Sequence, residues 1–135
     1  MTRREIREHT FRLLFLKEFY NDEDLDGQVK LYLAEFEDMP EEAKEELRTR
    51  AGQIYVRVEE LDHQINDVAQ GWKTRRMGKV DLAIIRLALY EILHDDAVPE
   101  KVAINEAVEL AKKFGGDDSP SFINGVLGKL VRKTV

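Results

Sequence analysis

Cysteine is absent from this sequence, which rules out disulfides and thiolate zinc sites. The three histidines, His9, His63 and His94, are scattered rather than spaced as ligands, so no metal centre is expected. No apolar run approaches the roughly 20 residues that a membrane-spanning helix needs. The longest, around Leu82–Leu93, is interrupted by Arg86 and Glu91. The opening Met1-Thr2-Arg3-Arg4-Glu5 is charged and has no apolar segment behind it, so a secretory signal is not expected and a soluble cytoplasmic protein is. Strand-type alternation, internal repeats and low-complexity linkers are missing. So are a Gly-rich phosphate loop after a strand, a nucleophile elbow and a HExxH helix. Two carboxylate pairs, Asp95/Asp96 and Asp117/Asp118, sit in turns, where capping and solvation account for them better than acid–base catalysis. Neither an enzyme nor a cofactor is expected.

What remains is helix and charge. The 135 residues fit one domain, and a chain of this size buries about two-thirds of its unfolded surface, enough for one core without staples. The net charge of −6 is unevenly spread. Residues 1–20 carry five Lys/Arg against three Asp/Glu, residues 21–70 five against fifteen, and residues 71–135 eleven against nine. The excess acid lies in one central block, which suits solvated Glu-rich helices, and leaves two mildly basic ends that can meet an anion.

Apolar spacing is helical throughout. A first helix is expected from about Arg3 to Tyr20, stopping at the polar turn Asn21-Asp22-Glu23-Asp24. A second covers roughly Leu25–Glu37, with Val29, Leu33 and Phe36 on one face and Tyr32 beside them, until Met39-Pro40 breaks it. One long amphipathic helix is expected from Glu41 through Leu47, Ile54, Val58, Leu61, Ile65 and Val68, ended by Gly71, with Trp72 as an apolar plug at the turn. A short helical turn near Trp72–Arg76 follows. The next helix, about Lys79–His94, is apolar nearly all round and therefore central and buried. A helix starting near Pro99 should end at Gly115 in a left-handed cap, and a last one should take Ser119 as N-cap with Pro120 next. Its Phe122, Ile123, Val126, Leu127, Leu130 and Val131 should point inward.

Three groups of residues ask for more than a core. At about 100° per residue, Arg4, Arg7, Phe11 and Phe15 fall within an arc of about 80° on the first helix, with Arg3 beside it. Guanidinium groups next to aromatic rings suit single-stranded RNA, which needs phosphate neutralisation and base stacking. Core packing of Phe11 and solvated first-turn arginines explain the same pattern. Arg86 is the lone cation inside the central helix; a structural ion pair with Asp81, Glu91 or another helix accounts for it, as does a functional role. Asp81 suits the positive end of that helix and could equally be offered to a protein partner. Finally, Lys112 and Lys113 lie in the last turn of their helix, and Phe114 and Phe122 bracket Gly115-Gly116-Asp117-Asp118-Ser119. Asn124 carries an amide able to read a base edge. The helix-interior Gly125 and Gly128, each costing about 1 kcal/mol against alanine, suggest close approach by another helix or by a ligand.

The opening Arg3-Arg4-Glu5-Ile6-Arg7-Glu8 with Leu13-Leu14-Phe15, the block Val80-Asp81-Leu82-Ala83-Ile84-Ile85-Arg86-Leu87-Ala88-Leu89-Tyr90-Glu91, and the stretch Val98-Pro99 to Phe114-Gly115 with Ser119 and Phe122-Ile123-Asn124-Gly125-Val126-Leu127 occur in the order and spacing of the NusB family. The chain resembles these bacterial transcription antitermination factors over essentially its whole length, although residues 21–70 match in helical character only. The resemblance implies an all-α, single-domain bundle of about seven helices in two small helical subdomains. It implies binding of the boxA element of nascent ribosomal RNA leaders, together with a small-subunit ribosomal protein called NusE in this role. It further implies loading onto RNA polymerase with other Nus factors. By motif position, RNA contacts are implied at Arg3, Arg4, Arg7, Lys112, Lys113, Asp118, Phe122 and Asn124, and a protein-partner contact at Arg76 and Asp81. Phe15 stands where the family often has tyrosine, near both surfaces; stacking survives there, whereas any hydroxyl hydrogen bond does not.

Two further readings share the fold. Some ribosomal RNA cytosine methyltransferases carry a NusB-like N-terminal domain, but the sequence to Val135 has neither a Gly-rich cofactor loop nor a catalytic cysteine. A homodimer or larger self-assembly that masks the RNA surface is the other.

Overall fold

The structure, a computed structural model, describes residues 1–69 and 71–134, with Lys133 and Thr134 described by their backbone alone. Among the described residues there are seven α-helices, one 3₁₀ turn and no strand: α1 Arg3–Leu16, α2 Asp22–Ala34, α3 Glu41–Tyr55, α4 Val58–Val68, the 3₁₀ turn Thr74–Arg76, α5 Lys79–His94, α6 Glu100–Phe114 and α7 Ser119–Thr134. They form two compact units, Met1–Val56 and Arg57–Val135. No helix of the described residues is long and apolar enough to cross a membrane.

In the first unit, α1 opens with a capping box. The Thr2 hydroxyl accepts from the Glu5 amide, and the Glu5 carboxylate accepts from the Thr2 amide, each at 3.1 Å. The helix ends at Leu16, short of the expected Tyr20. Its last amides switch to tighter bonds, with Lys17 donating to Leu14, Glu18 to Phe15 and Phe19 to Leu16. The Tyr55 hydroxyl of α3 donates to the Leu13 carbonyl. Burial pushes the Tyr55 phenol pKa well above its ordinary value. The second helix begins three residues earlier than expected because Asn21 is its N-cap, its side chain accepting from the Asp24 amide at 3.0 Å. Asp22, Glu23 and Asp24 are therefore first-turn residues at the positive helix end rather than a loop. Leu13, Val29, Leu33, Leu47 and Ala51 make the core, with Ile6, Leu16, Tyr32, Met39 and Tyr55 around it.

His9 of α1 meets α2. Its Nδ1 lies 2.7 Å from the Tyr32 hydroxyl, and its ring stands edge-on to Phe36 with centroids 4.9 Å apart. Burial, aided by the charge of Arg12, holds the His9 pKa below 6.5. The unfolded chain then binds more protons here than the folded one. This contact is fully stabilising above about pH 6.5 and loses that stability as pH falls toward the folded-state pKa. Urea denaturation between pH 5 and 8 should show the decline in wild type and a flatter profile in His9→Gln.

The single long helix expected over residues 41–68 is two helices. Arg57 takes φ −106°, ψ 2°, between α3 and α4, and Val56 beside it is 80% exposed. The unit boundary falls at this break. In the second unit α5 packs against α4, α6 and α7. Every residue from Leu82 to Glu91 is buried. Ala103, Ala107 and Ala111 give α6 a buried face of small side chains, and Ile123, Leu127 and Leu130 are the fully buried positions of α7. Arg86 reaches from α5 to α4. Its Nε and Nη2 donate to the two carboxylate oxygens of Asp62 at 2.8 and 2.7 Å. Of the partners the sequence left open, another helix therefore supplies this bidentate pair; Asp81 and Glu91 lie five residues away on α5, roughly 140° around it. Trp72, expected as an apolar plug at the turn, is 59% exposed.

Pro40 and Pro99 each sit one position ahead of the first helical residue, whereas Pro120 is the second residue of α7. Pro40 and Pro99 act as N-caps whose carbonyls accept from Lys44 and Ala103. Gly115 is not left-handed either; at φ −93°, ψ −176° it is extended. Its need for glycine is steric, because a Cβ there would lie 2.6 Å from the Ser119 side chain and 2.8 Å from the Ala111 carbonyl. Gly115→Ala should therefore cost about 1–3 kcal/mol. Gly125→Ala, mid-helix with nothing within 4 Å, should instead stabilise by about 0.5–1 kcal/mol. Calorimetry of the two variants should show melting temperatures moving in opposite directions.

Candidate nucleic-acid interface

On α1, Arg3 and Arg4 are exposed in the first turn, while Arg7 and Phe11 are buried at 9% and 3% exposure. The basic-aromatic stripe is thus open at its N-terminal end and closed in its middle. Phe15 is half-buried, its ring tilted toward Phe11 at 6.2 Å and edge-on to Phe19 at 5.0 Å. Phe19 is itself 55% exposed, so this aromatic row reaches solvent at the far end of the helix.

In the second unit the connection from α6 to α7 is held tightly. The Gly115 amide donates to Ala111 at 2.8 Å, and the Gly116 amide donates to the Ser119 hydroxyl at 3.0 Å. Ser119 is the first residue of α7 rather than its N-cap. The Asp118 carbonyl accepts the first amide bond, from Phe122 at 3.1 Å. Lys112 and Lys113 are exposed at the negative end of α6. Lys112 pairs with Glu109 at 3.3 Å, and Lys113 lies 5.4 Å from the centre of the Phe114 ring. Asp118 is exposed in the turn.

Phe122 and Asn124 do not share a face, since two residues turn the helix by about 200°. Phe122 is half-buried and Asn124 exposed. Gly125, three residues beyond Phe122 and therefore beside it, is also exposed, and neither Gly125 nor Gly128 is approached by backbone of another helix. The close helix packing expected for these glycines is not found. Phe122 instead meets Trp72, centroids 5.8 Å apart and rings at 64°. Trp72, expected as an apolar plug at the turn, stands instead beside this candidate surface. The signal available was its setting, between Gly71 and Lys73 and just ahead of Arg75-Arg76, in a segment too polar to be core. Arg76 closes the 3₁₀ turn and is exposed; Asp81 is half-buried in the first turn of α5.

An all-helical chain with exposed cations and aromatics at helix ends belongs, by class, with binding proteins. The model of the NusB family matches residues 4–132, and the chain belongs to that family, which is RNA-binding and non-enzymatic. It is 53% identical over 131 residues to the transcription antitermination protein NusB of Lachnoclostridium phytofermentans, covering 97% of this chain and 99% of the relative. The protein of the same name from Agathobacter rectalis is 49% identical, covering 96% and 98%. Among solved structures, T. maritima NusB superposes with a TM-score of 0.86 at 34% identity, covering 98% of this chain and 92% of that one. A chain from a complex of antitermination factors NusB and NusE with double-stranded RNA has the same fold, with a TM-score of 0.80 at 22% identity.

Proposed function

We propose that this chain is a transcription antitermination factor that acts in the cytoplasm as one RNA-binding domain. It binds boxA RNA of ribosomal RNA leaders together with the ribosomal protein NusE, joins RNA polymerase with other Nus factors, and suppresses termination. The observation that carries this is the end-to-end match to antitermination relatives, 53% identical over 131 residues. The exposed cations fit the role. Arg3 and Arg4 stand at the start of α1 and Lys112 and Lys113 at the end of α6, where phosphates can approach without desolvating a core. Phe122 and Asn124 present a ring and an amide on different faces of α7, nearly opposite one another, and Arg76 and Asp81 offer opposite charges to a protein partner.

Filter binding of single-stranded boxA RNA across a salt series, with and without NusE, tests this reading. Arg3→Gln and Arg4→Gln should each weaken binding to every RNA and lower the slope of log affinity against log salt by about 0.7 per lost phosphate contact. Arg7, being buried, is a poor choice for the same test, because its loss also disturbs folding. Unchanged affinity and slope in both variants would remove α1 from the interface, and no retention of RNA in either condition would remove the function.

A further inference from the structure

Trp72 is the single tryptophan of the chain, and most of its surface is in water. Exposing an indole forgoes a large burial gain, yet the segment that carries it is well held. Gly71 makes the turn with φ 78°, and the Trp72 amide donates to Ala69 at 3.3 Å. From α4, the Asn66 side-chain oxygen accepts the Thr74 amide at 2.8 Å, and its amide nitrogen donates to the Thr74 hydroxyl at 3.3 Å. The Lys73 ammonium donates to the Asn66 carbonyl at 2.7 Å. The turn is thus fastened to α4, and the indole meets α7 in a T-shaped contact with Phe122. Such a contact leaves much of the indole surface free. Beside Phe122 on α7 lies Gly125, exposed and bare, where no side chain limits the approach of a flat ring.

The charge around this ring is of one sign. From Ala69 to Val80 the sequence carries Lys73, Arg75, Arg76 and Lys79 and no Asp or Glu, in a chain whose net charge is −6. Arg75 and Arg76 are exposed. A rigid aromatic platform flanked by cations is the arrangement that takes an unpaired base and its phosphates, and it tolerates any base because every base has a π-face. A basic protein segment would be repelled by the same cations.

We propose that Trp72 is a base-stacking platform for single-stranded RNA, forming with Phe122 an aromatic subsite on the second unit. The proposal rests on the RNA-binding function argued above, and one titration separates the two. Unlabelled boxA RNA, and oligouridylate of equal length, are added while Trp72 emission is recorded; retention of radiolabelled RNA on filters is measured in parallel, with and without NusE. Stacking should quench the emission along the same curve as retention. Trp72→Ala and Trp72→Leu should each weaken both RNAs by roughly five- to hundred-fold, and Trp72→Phe should lose less. Helical content and melting of these variants should match wild type, given the exposure of the ring. Normal retention with unchanged emission and wild-type affinity in Trp72→Ala overturns the platform and leaves the function standing. Emission that responds to NusE alone overturns it in favour of a protein contact. Absence of retention by the wild-type protein overturns the function itself.

Discussion

Asp62→Ala is expected to lower the unfolding free energy by about 3 kcal/mol and the melting temperature by on the order of 10 °C. The Arg86 side chain is 9% exposed and lies among ten consecutive buried residues of α5, while Asp62 on α4 is 23% exposed. Two parallel N–H···O bonds match the guanidinium fork to the carboxylate, the geometry in which such a pair is strongest. Removing the carboxylate takes both of these bonds from a buried guanidinium that stays charged. Removing the cation is different. Asp62 is near enough to solvent to rehydrate, so Arg86→Met should cost less, about 1–2 kcal/mol. The double variant Asp62→Leu/Arg86→Met should recover most of the loss, because well-packed apolar pairs often replace buried ion pairs without penalty. Thermal melts of the three variants check the asymmetry. Equal losses in the two single variants, or a wild-type melt for Asp62→Ala, would show that the pair does not act as described.

Leu13→Ala should be comparably severe, about 3–4 kcal/mol. Leu13 is fully buried in a core with Val29 and Leu33 from α2 and Leu47 and Ala51 from α3. Truncation to alanine leaves a cavity among these side chains, whose cost adds to the lost burial. The Leu13 carbonyl also receives the Tyr55 hydroxyl, so any collapse of α1 toward the void strains that bond. A fall of about 1.5–2 M in the urea midpoint at unchanged slope is the expected readout. A loss below 1 kcal/mol would mean that this core relaxes far more readily than its packing implies.

How well the sequence reported the fold varied by element for identifiable reasons. Both ends of α5 were legible, because an all-round apolar segment bounded by Gly78 and Asp95 has few alternatives. The break between α3 and α4 was not. The stripe Leu47, Ile54, Val58, Leu61, Ile65 keeps helical spacing across it, and neither proline nor glycine marks Val56-Arg57. The early end of α1 was hidden because it comes with a contact from α3, the Tyr55 hydroxyl on Leu13, rather than from any local stop signal. At the candidate interface, residue types and helix ends were legible but accessibility was not. Arg7 and Phe11 sit in the same arc as Arg4 yet are buried, and Trp72, whose apolar ring suggests a plug at the turn, stands in solvent. The family resemblance, not periodicity, gave Asp118 and Asn124 their significance, since an exposed Asp in a turn and a lone Asn carry little on their own.

The unequal anchoring of the helices has a kinetic counterpart in deuterium uptake. The second helix is fixed by one stripe, Leu25, Val29 and Leu33, and the rest of it faces solvent or is only partly covered. Its amides should take up deuterium through local openings that cost only part of the free energy of its unit. Each such opening would bare Leu13 and Leu47 for an instant, so a protease should cut first at the ends of α2. The amides of α5 have no comparable escape, being enclosed from Leu82 to Glu91, and should stay protected until the whole unit comes apart.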